Sequence, residues 1–372
     1  MTPTTARNHF GLRVATILFV ATLAIQTATV AAEDRLAHRR GGLSSIAIER
    51  AAATNDGLSV VRTDRGLDRE EVVPWDRLAG VDPRLPEGTL EVGIDRGLAL
   101  GDRLWRGRNR LRRGDARLAR EAFLEAFELM RDRGGPMFSI ALEGLVASAI
   151  LEGRVDEIQS EAVFLGELGL AGSRTDRFAG PAFGGDVIDA DTQLVPMVPP
   201  VTGGPASLKI RERLRDRPRI HENSGLRRDL WIRLLDGSGP PELEDRSVDA
   251  GTRYLIELTN LDSKDRRTRE SARRRLIEQL DGQPGWRTAW TRHRAGRSSL
   301  QHAENDEERL RGILDLVRVM ALEDTAPPAL RLDSGRLLID GLRSIGRNDE
   351  ARTIDTMLMI EFPDQYPTEN AP

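Results

Sequence analysis

The sequence contains no cysteine, and that absence removes several options at once. Without thiols there is no disulfide framework, no thiolate metal site and no cysteine to carry a lipid anchor. Aromatic residues are only 4% of the chain, so a core must be built mainly from Leu, Ile, Val and Ala. Lysine is almost missing as well. Lys209 and Lys264 are the two, and every other basic side chain is arginine. Long apolar runs are scarce. The clearest, Val14 to Ile25, has 12 residues, whereas a membrane-spanning helix needs about 20. With 39% hydrophobic and 31% charged residues, the composition suits a soluble, helix-rich protein and excludes a polytopic membrane one.

At 372 residues the chain has room for two or three domains. Residues 1–32 read as a secretory signal: Arg7, His9 and Arg13 precede the apolar run, and Val-Ala-Ala ends at Ala32. The alternative is a retained single anchor. Cleavage after Ala32 removes two arginines and no acid, so the net charge moves from −4 to −6. A mildly acidic chain without aromatic-interleaved basic runs is a poor nucleic-acid binder, and nothing beyond the leader is apolar enough for stable membrane insertion. The expected address is periplasmic or extracellular.

Residues 33–40 read as a loose lead-in. Residues 41–83 read as a small β-module: Ile46 and Ile48 alternate with polar positions, as do Leu58 and Val60. Thr63-Asp64-Arg65-Gly66 marks a hairpin turn. Pro74 should close an edge strand, since it cannot donate to a ladder. Trp75 is the expected anchor on the helices that follow.

Residues 90–170 read as helical hairpins over Ile94–Arg112, Ala116–Arg133, Met137–Glu152 and Val155–Leu168. Trp105, Leu111, Ala119, Phe123, Phe127 and Met130 recur at helical spacing and form the expected apolar face. The segment 171–206 is rich in Gly and Pro and reads as a linker, although Val187 to Val201 is apolar enough to lie in a groove. Residues 207–365 read as a C-terminal helical domain. Its apolar sets are Leu226, Leu230, Trp231, Leu234 and Leu235, then Trp286 with Trp290, then Leu310, Ile313, Leu314, Val317 and Met320 behind an Asn305 cap. Helices are expected over Val248–Leu261 and Ala272–Leu280, with Glu270 paired to Arg274.

Three turns share one spacing. Gly114, Gly153 and Gly346 each precede a small or aliphatic residue by five positions, at Ala119, Ile158 and Ala351. With Gly107, Phe123 and Ala126, this pattern resembles the tetratricopeptide-type repeat. The Gly114-to-Gly153 interval is 39 residues, against 34 in that family. The resemblance covers about 70 residues near the middle and about 30 at the C-terminus. It implies a mainly α fold of stacked helical hairpins, an α-solenoid, with a small N-terminal β-module, and a protein or peptide partner. The layout is similar to that of many uncharacterised exported bacterial proteins.

Enzymatic signatures are missing. There is no G-x-S-x-G, no H-E-x-x-H and no phosphate loop ending in Gly-Lys. His38, His221, His293 and His302 are not paired at ligand spacing, and His293 reads as a helix-surface residue beside Trp290. Asp186, Asp189 and Asp191 make a loose calcium-loop pattern without its glycine and closing glutamate. The runs Arg211 to Arg219 and Arg266 to Arg275 read as salt-bridged helix faces or, alternatively, as a patch for an acidic partner. No catalytic, cofactor-binding or metal-binding residue is singled out, and no cofactor is expected. The expected role is an exported, non-enzymatic scaffold or binding module. The alternative is an envelope hydrolase using carboxylates between the two helical halves.

Overall fold

The computed structural model describes residues 36–40, 46–47, 50–64, 67–81, 91–130, 135–172, 179–180, 185–201, 206–217, 220–241, 247–322 and 325–363. The leader 1–32, the turn residues Arg65 and Gly66, Arg131 to Arg133, parts of 171–206 and the last residues of 207–365 lie outside them. The fold is mainly helical, with two three-stranded sheets near the N-terminus. The chain divides into two compact units: residues 1–109 with 125–138, and residues 110–124 with 139–372.

In the first unit, β1 (Leu36–Arg39) lies between β2 (Ile46–Ala47) and β6 (Leu78–Val81), antiparallel to both. The described part of the lead-in, Leu36–Arg39, is therefore a paired strand and not loose chain. A run as short as Leu-Ala-His-Arg carries no alternation that would mark it. The second sheet is ordered β3 (Arg50–Ala53), β4 (Gly57–Asp64), β5 (Leu67–Pro74). Pro74 ends the edge strand β5 opposite Gly57, where its missing N–H breaks no ladder. Trp75 follows, almost wholly buried, and its indole N–H donates to the Thr54 carbonyl at 3.0 Å. The ring lies on α1 (Glu91–Arg112) where Gly97 and Gly101 leave room. A Cβ on Gly97 would come within 2.3 Å of the indole. Buried Asp76 is held by Arg108. Trp105 does not join this core: it is 39% exposed, with the Arg40 guanidinium over its ring.

The helices α2 (Ala116–Met130), α3 (Gly135–Leu151) and α4 (Gln159–Leu170) follow, with boundaries near those expected. Gly107, Ala119, Phe123 and Ala126 are all buried. Phe123 lies against α3 at Gly144, where a Cβ would meet its ring at 2.4 Å. The three glycine turns are one structure repeated. Gly114, Gly153 and Gly346 have φ of +81°, +70° and +79°. Each N–H reaches back three residues, and the next N–H reaches back five, as in Asp115 to Arg110, Arg154 to Ala149 and Arg347 to Leu342. That is a left-handed helix ending, which glycine adopts without strain.

In the second unit, eight further helices carry the C-terminal half. They are α5 (Ala206–Asp216), α6 (Ser224–Asp236), α7 (Ala250–Asn260), α8 (Arg266–Glu278), α9 (Gly285–Gln301), α10 (Asp306–Met320), α11 (Pro328–Ser344) and α12 (Asn348–Glu361). Helix α8 starts six residues before the expected Ala272, because Asp265 caps it by accepting from the Arg267 and Thr268 N–H groups. Glu270 pairs with Arg266 at 2.8 Å, one turn behind it, rather than with Arg274. Consecutive helices pack on one another from α4 to α7 and from α7 to α12, and α9 also touches α11. Trp231, Tyr254, Trp286 and Trp290 form an edge-to-face and stacked cluster in the core between them.

The segment read as a linker is, in its described middle, a buried strap. Val187, Ile188, Leu194, Val195 and Val198 are each at most 4% exposed. Both flanks of 171–206 belong to the same unit, so the segment is no domain boundary. Two glycines let the strap backbone touch helices. A Cβ on Gly166 of α4 would meet the Gln193 carbonyl at 2.2 Å, and one on Gly251 of α7 would meet the Thr192 carbonyl at 2.0 Å. Arg227 of α6 fastens it, donating to the Thr192 and Gln193 carbonyls, to Asp249 at 2.6 Å and to Thr252 at 3.0 Å. The Trp290 indole donates to the Pro196 carbonyl at 3.1 Å.

Candidate functional site

Helix α10 brings together two surface features that lie outside the core. Its Asn305 cap accepts from the Glu308 N–H at 2.9 Å, as the sequence predicts, so the start of the helix is fixed. Which face turns inward is set by glycine. Gly312 of α10 crosses Gly296 of α9 so closely that a Cβ on either would come within 2.9 Å of the other's carbonyl oxygen. Ile313, Asp315, Leu316 and Val319 therefore turn inward. Leu310, Leu314 and Val317, three of the five expected apolar positions, point to solvent at 41%, 49% and 43% exposure. Their spacing of four and three residues makes one continuous apolar row along the helix.

Beside that row, α8, α9 and α10 enclose a small cleft of about 60 Å³. Its walls include Arg266, Arg269 and Arg273 from the predicted basic run, Ser299 and His302 from the end of α9, and Arg311 from α10. Arg266 donates to Glu270, Glu304 and Glu308 at 2.8–2.9 Å. Arg273 and Arg292 share the buried carboxylate of Asp315, and Arg318 lies 3.8 Å from it. Arg269 donates through one Nη to the Ser263 and Lys264 carbonyls, at 2.9 Å each. Burial, and then the charge of Arg269, hold the His302 imidazole below its usual range. In the other basic run two arginines pair with acids, and Arg213 donates to the Glu157 backbone carbonyl at 3.4 Å. Arg211 pairs with Asp236 and Arg217 with Glu161, while Pro218 and Arg219 lie outside the described residues.

The remaining sequence candidates serve the fold. His293 is 3% exposed, so it is a buried residue and not a helix-surface one. The α9 face that carries it packs on α11, where its Nδ1 lies 2.8 Å from the Ser334 hydroxyl and its Nε2 3.2 Å from Asp333. These are the side-chain types of a serine-hydrolase centre. Ser334 is wholly buried, however, so its hydroxyl is not presented to solvent. Asp189 closes a turn by accepting from the Thr192 N–H and hydroxyl at 2.8 and 2.6 Å, and faces Arg287. Asp191 is exposed, and no group of three metal-ligating side chains occurs among the described residues. The His221 Nδ1 accepts from the Asn223 N–H at 3.2 Å. His38 sits on β1.

Three buried ion pairs were not foreseen. Glu167 and Arg228, with 2.7 Å between Oε1 and Nε, join α4 to α6. Asp262 and Arg294 meet between α7 and α9, and Arg227 meets Asp249 under the strap. Burial pushes the Glu167 and Asp262 carboxyls up, with their arginines pulling against it. At Asp249, burial acts the same way, but Arg227 and Thr252 outweigh it and hold the carboxyl below its usual range. The carboxylates where the two helical halves meet, Glu161 and Glu167, are thus paired to arginine and not open to a substrate. In the first unit, a hollow of about 270 Å³ beside Trp75 is lined by Leu100, Leu129 and Met130 and rimmed by Asn55 and Arg96, with no cluster of titratable groups.

No family model, curated relative or solved structure matches this chain.

Proposed function

We propose that this chain is a non-enzymatic scaffold that binds a helical segment of a partner protein on the outer face of α10. The observation that carries the reading is the apolar row of Leu310, Leu314 and Val317. Single exposed leucines are ordinary, but three on one helix row at the i, i+4, i+7 spacing match the anchor pattern by which amphipathic helices pair. Arg311 and Arg318 flank the row, which favours a partner helix with acids beside its apolar face. Stacked helical hairpins of a tetratricopeptide-like solenoid are the architecture we assign. The consecutive packing of α4 to α12 and the repeated glycine turns support it. A hydrolase would need acids free in a cleft, and the pairing of Glu161 and Glu167 speaks against that alternative.

The test is a photocrosslinker placed at Leu314 in cells that make the full chain, with and without Leu310→Glu. We expect one discrete crosslinked protein, lost in the Leu310→Glu background. Both positions are exposed, so the thermal midpoint should stay within about 0.5 kcal/mol equivalent of the parent. A crosslink pattern that Leu310→Glu leaves unchanged would remove the α10 face as the binding site.

We also propose export, from the three-part leader. N-terminal sequencing of the protein recovered outside the cytoplasm should start at Glu33. A start at Met1 would instead mark a retained anchor.

A further inference from the structure

We propose that the cleft between α8, α9 and α10 is a binding site for a free tetrahedral oxyanion of the phosphate or sulfate class, held by Arg269 and Arg311 with Ser299. The wall charges do not cancel. Arg266 is saturated by three glutamates, and the buried Asp315 is already shared by Arg273 and Arg292. Among the described residues Arg269 makes no ion pair within 4 Å, although Glu270, which also lines the cleft, feels the charge of both Arg269 and Arg311. Its Nη1 satisfies two backbone carbonyls, which leaves its Nε and second Nη to donate. Arg311 reaches only Glu307, at 3.4 Å, and both side chains are at least half exposed. The Ser299 hydroxyl accepts from Arg273 at 3.3 Å and keeps its own hydrogen to give.

These donors come from three helices and so approach from more than one plane, which suits a tetrahedral ion better than a flat carboxylate. The cleft, of about 60 Å³, has room for a small ion. Within the cleft, burial lowers the pKa of the His302 imidazole first and the Arg269 charge second, while Asp262 acts in the opposite direction.

That imidazole is also the reporter for the test. The full chain would be titrated by histidine-resolved NMR in inorganic phosphate, acetate or chloride at one ionic strength. Phosphate should move the His302 midpoint upward, saturably, by about one unit, because a bound anion offsets the Arg269 charge. Chloride should leave it in place. Arg269→Gln and Arg311→Gln should each abolish the saturable shift. Arg311 is surface-exposed, so its variant stays informative even if Arg269→Gln unfolds α8. A shift equal in chloride would reduce the effect to screening and overturn the proposal. So would no shift, or acetate acting as strongly as phosphate, or both variants retaining the response.

Discussion

Replacing Arg227 by alanine is expected to destabilise the chain by about 3–5 kcal/mol, the usual loss when one member of a buried charged pair is removed. Its guanidinium is 2% exposed, and three of its nitrogens donate to Asp249, Thr252 and two strap carbonyls. Truncation leaves the buried Thr192 carbonyl without its arginine donor and removes the charge partner of the partly exposed Asp249, and the planar fork has no substitute there. Arg227→Lys should recover only part of the loss. The signature that separates this from a general core defect is local. Limited proteolysis should spare residues 187–201 in the parent and cut them first in Arg227→Ala. A urea-melt difference below about 1 kcal/mol, with the strap still resistant, would show that the strap is held by its valines and leucines alone.

Phe123→Ala should lose about as much, roughly 3–5 kcal/mol, by leaving a cavity on α2. The side chain is fully buried, and its ring fills the space that Gly144 leaves on α3. The same geometry predicts the converse defect. Gly144→Ala puts a methyl into the ring and should cost about 1–3 kcal/mol by overpacking. Combining Gly144→Ala with Phe123→Leu should recover part of that, because the smaller side chain makes room. Arg117→Ala is the control, since its pairing with Glu121 is exposed and should be worth less than about 0.5 kcal/mol. Arg120 would be a poor control, because it bridges to Glu152 and Glu157 at 3.2–3.3 Å. Equal urea midpoints for Phe123→Ala and Arg117→Ala would remove Phe123 from the core.

Local signals in the sequence were reliable guides to local structure. Asn305 caps α10, Pro74 ends an edge strand, and three glycines end helices in the left-handed conformation. Each of these depends on a residue and its immediate neighbours. What the sequence hid depends on which elements meet. The apolar positions of α10 form two rows, and periodicity alone does not choose between them. The Gly296–Gly312 crossing turns the other row inward, together with Asp315, whose charge is matched by arginines from α8 and α9. The basic run on α8 was legible as a run, but its cleft needed Ser299, His302 and Arg311 from two other helices. The Gly/Pro segment read as a linker because turn residues dominate its composition. Its burial follows from Gly166, Gly251 and Arg227, none of which lies within it.

The strap imposes an order on assembly. As the chain emerges from its N-terminus, the apolar residues 187–201 follow α4, which they touch at Gly166, but precede the side chains that fasten them. The guanidinium that binds the Thr192 and Gln193 carbonyls follows 35 and 34 residues later, and the indole that binds Pro196 follows 94 residues later. Until Trp290 is present, five apolar side chains of the strap have an incomplete seat. A chain stopped before α9 would carry that adhesive stretch into solution, so truncation there should yield aggregates rather than a stable N-terminal half.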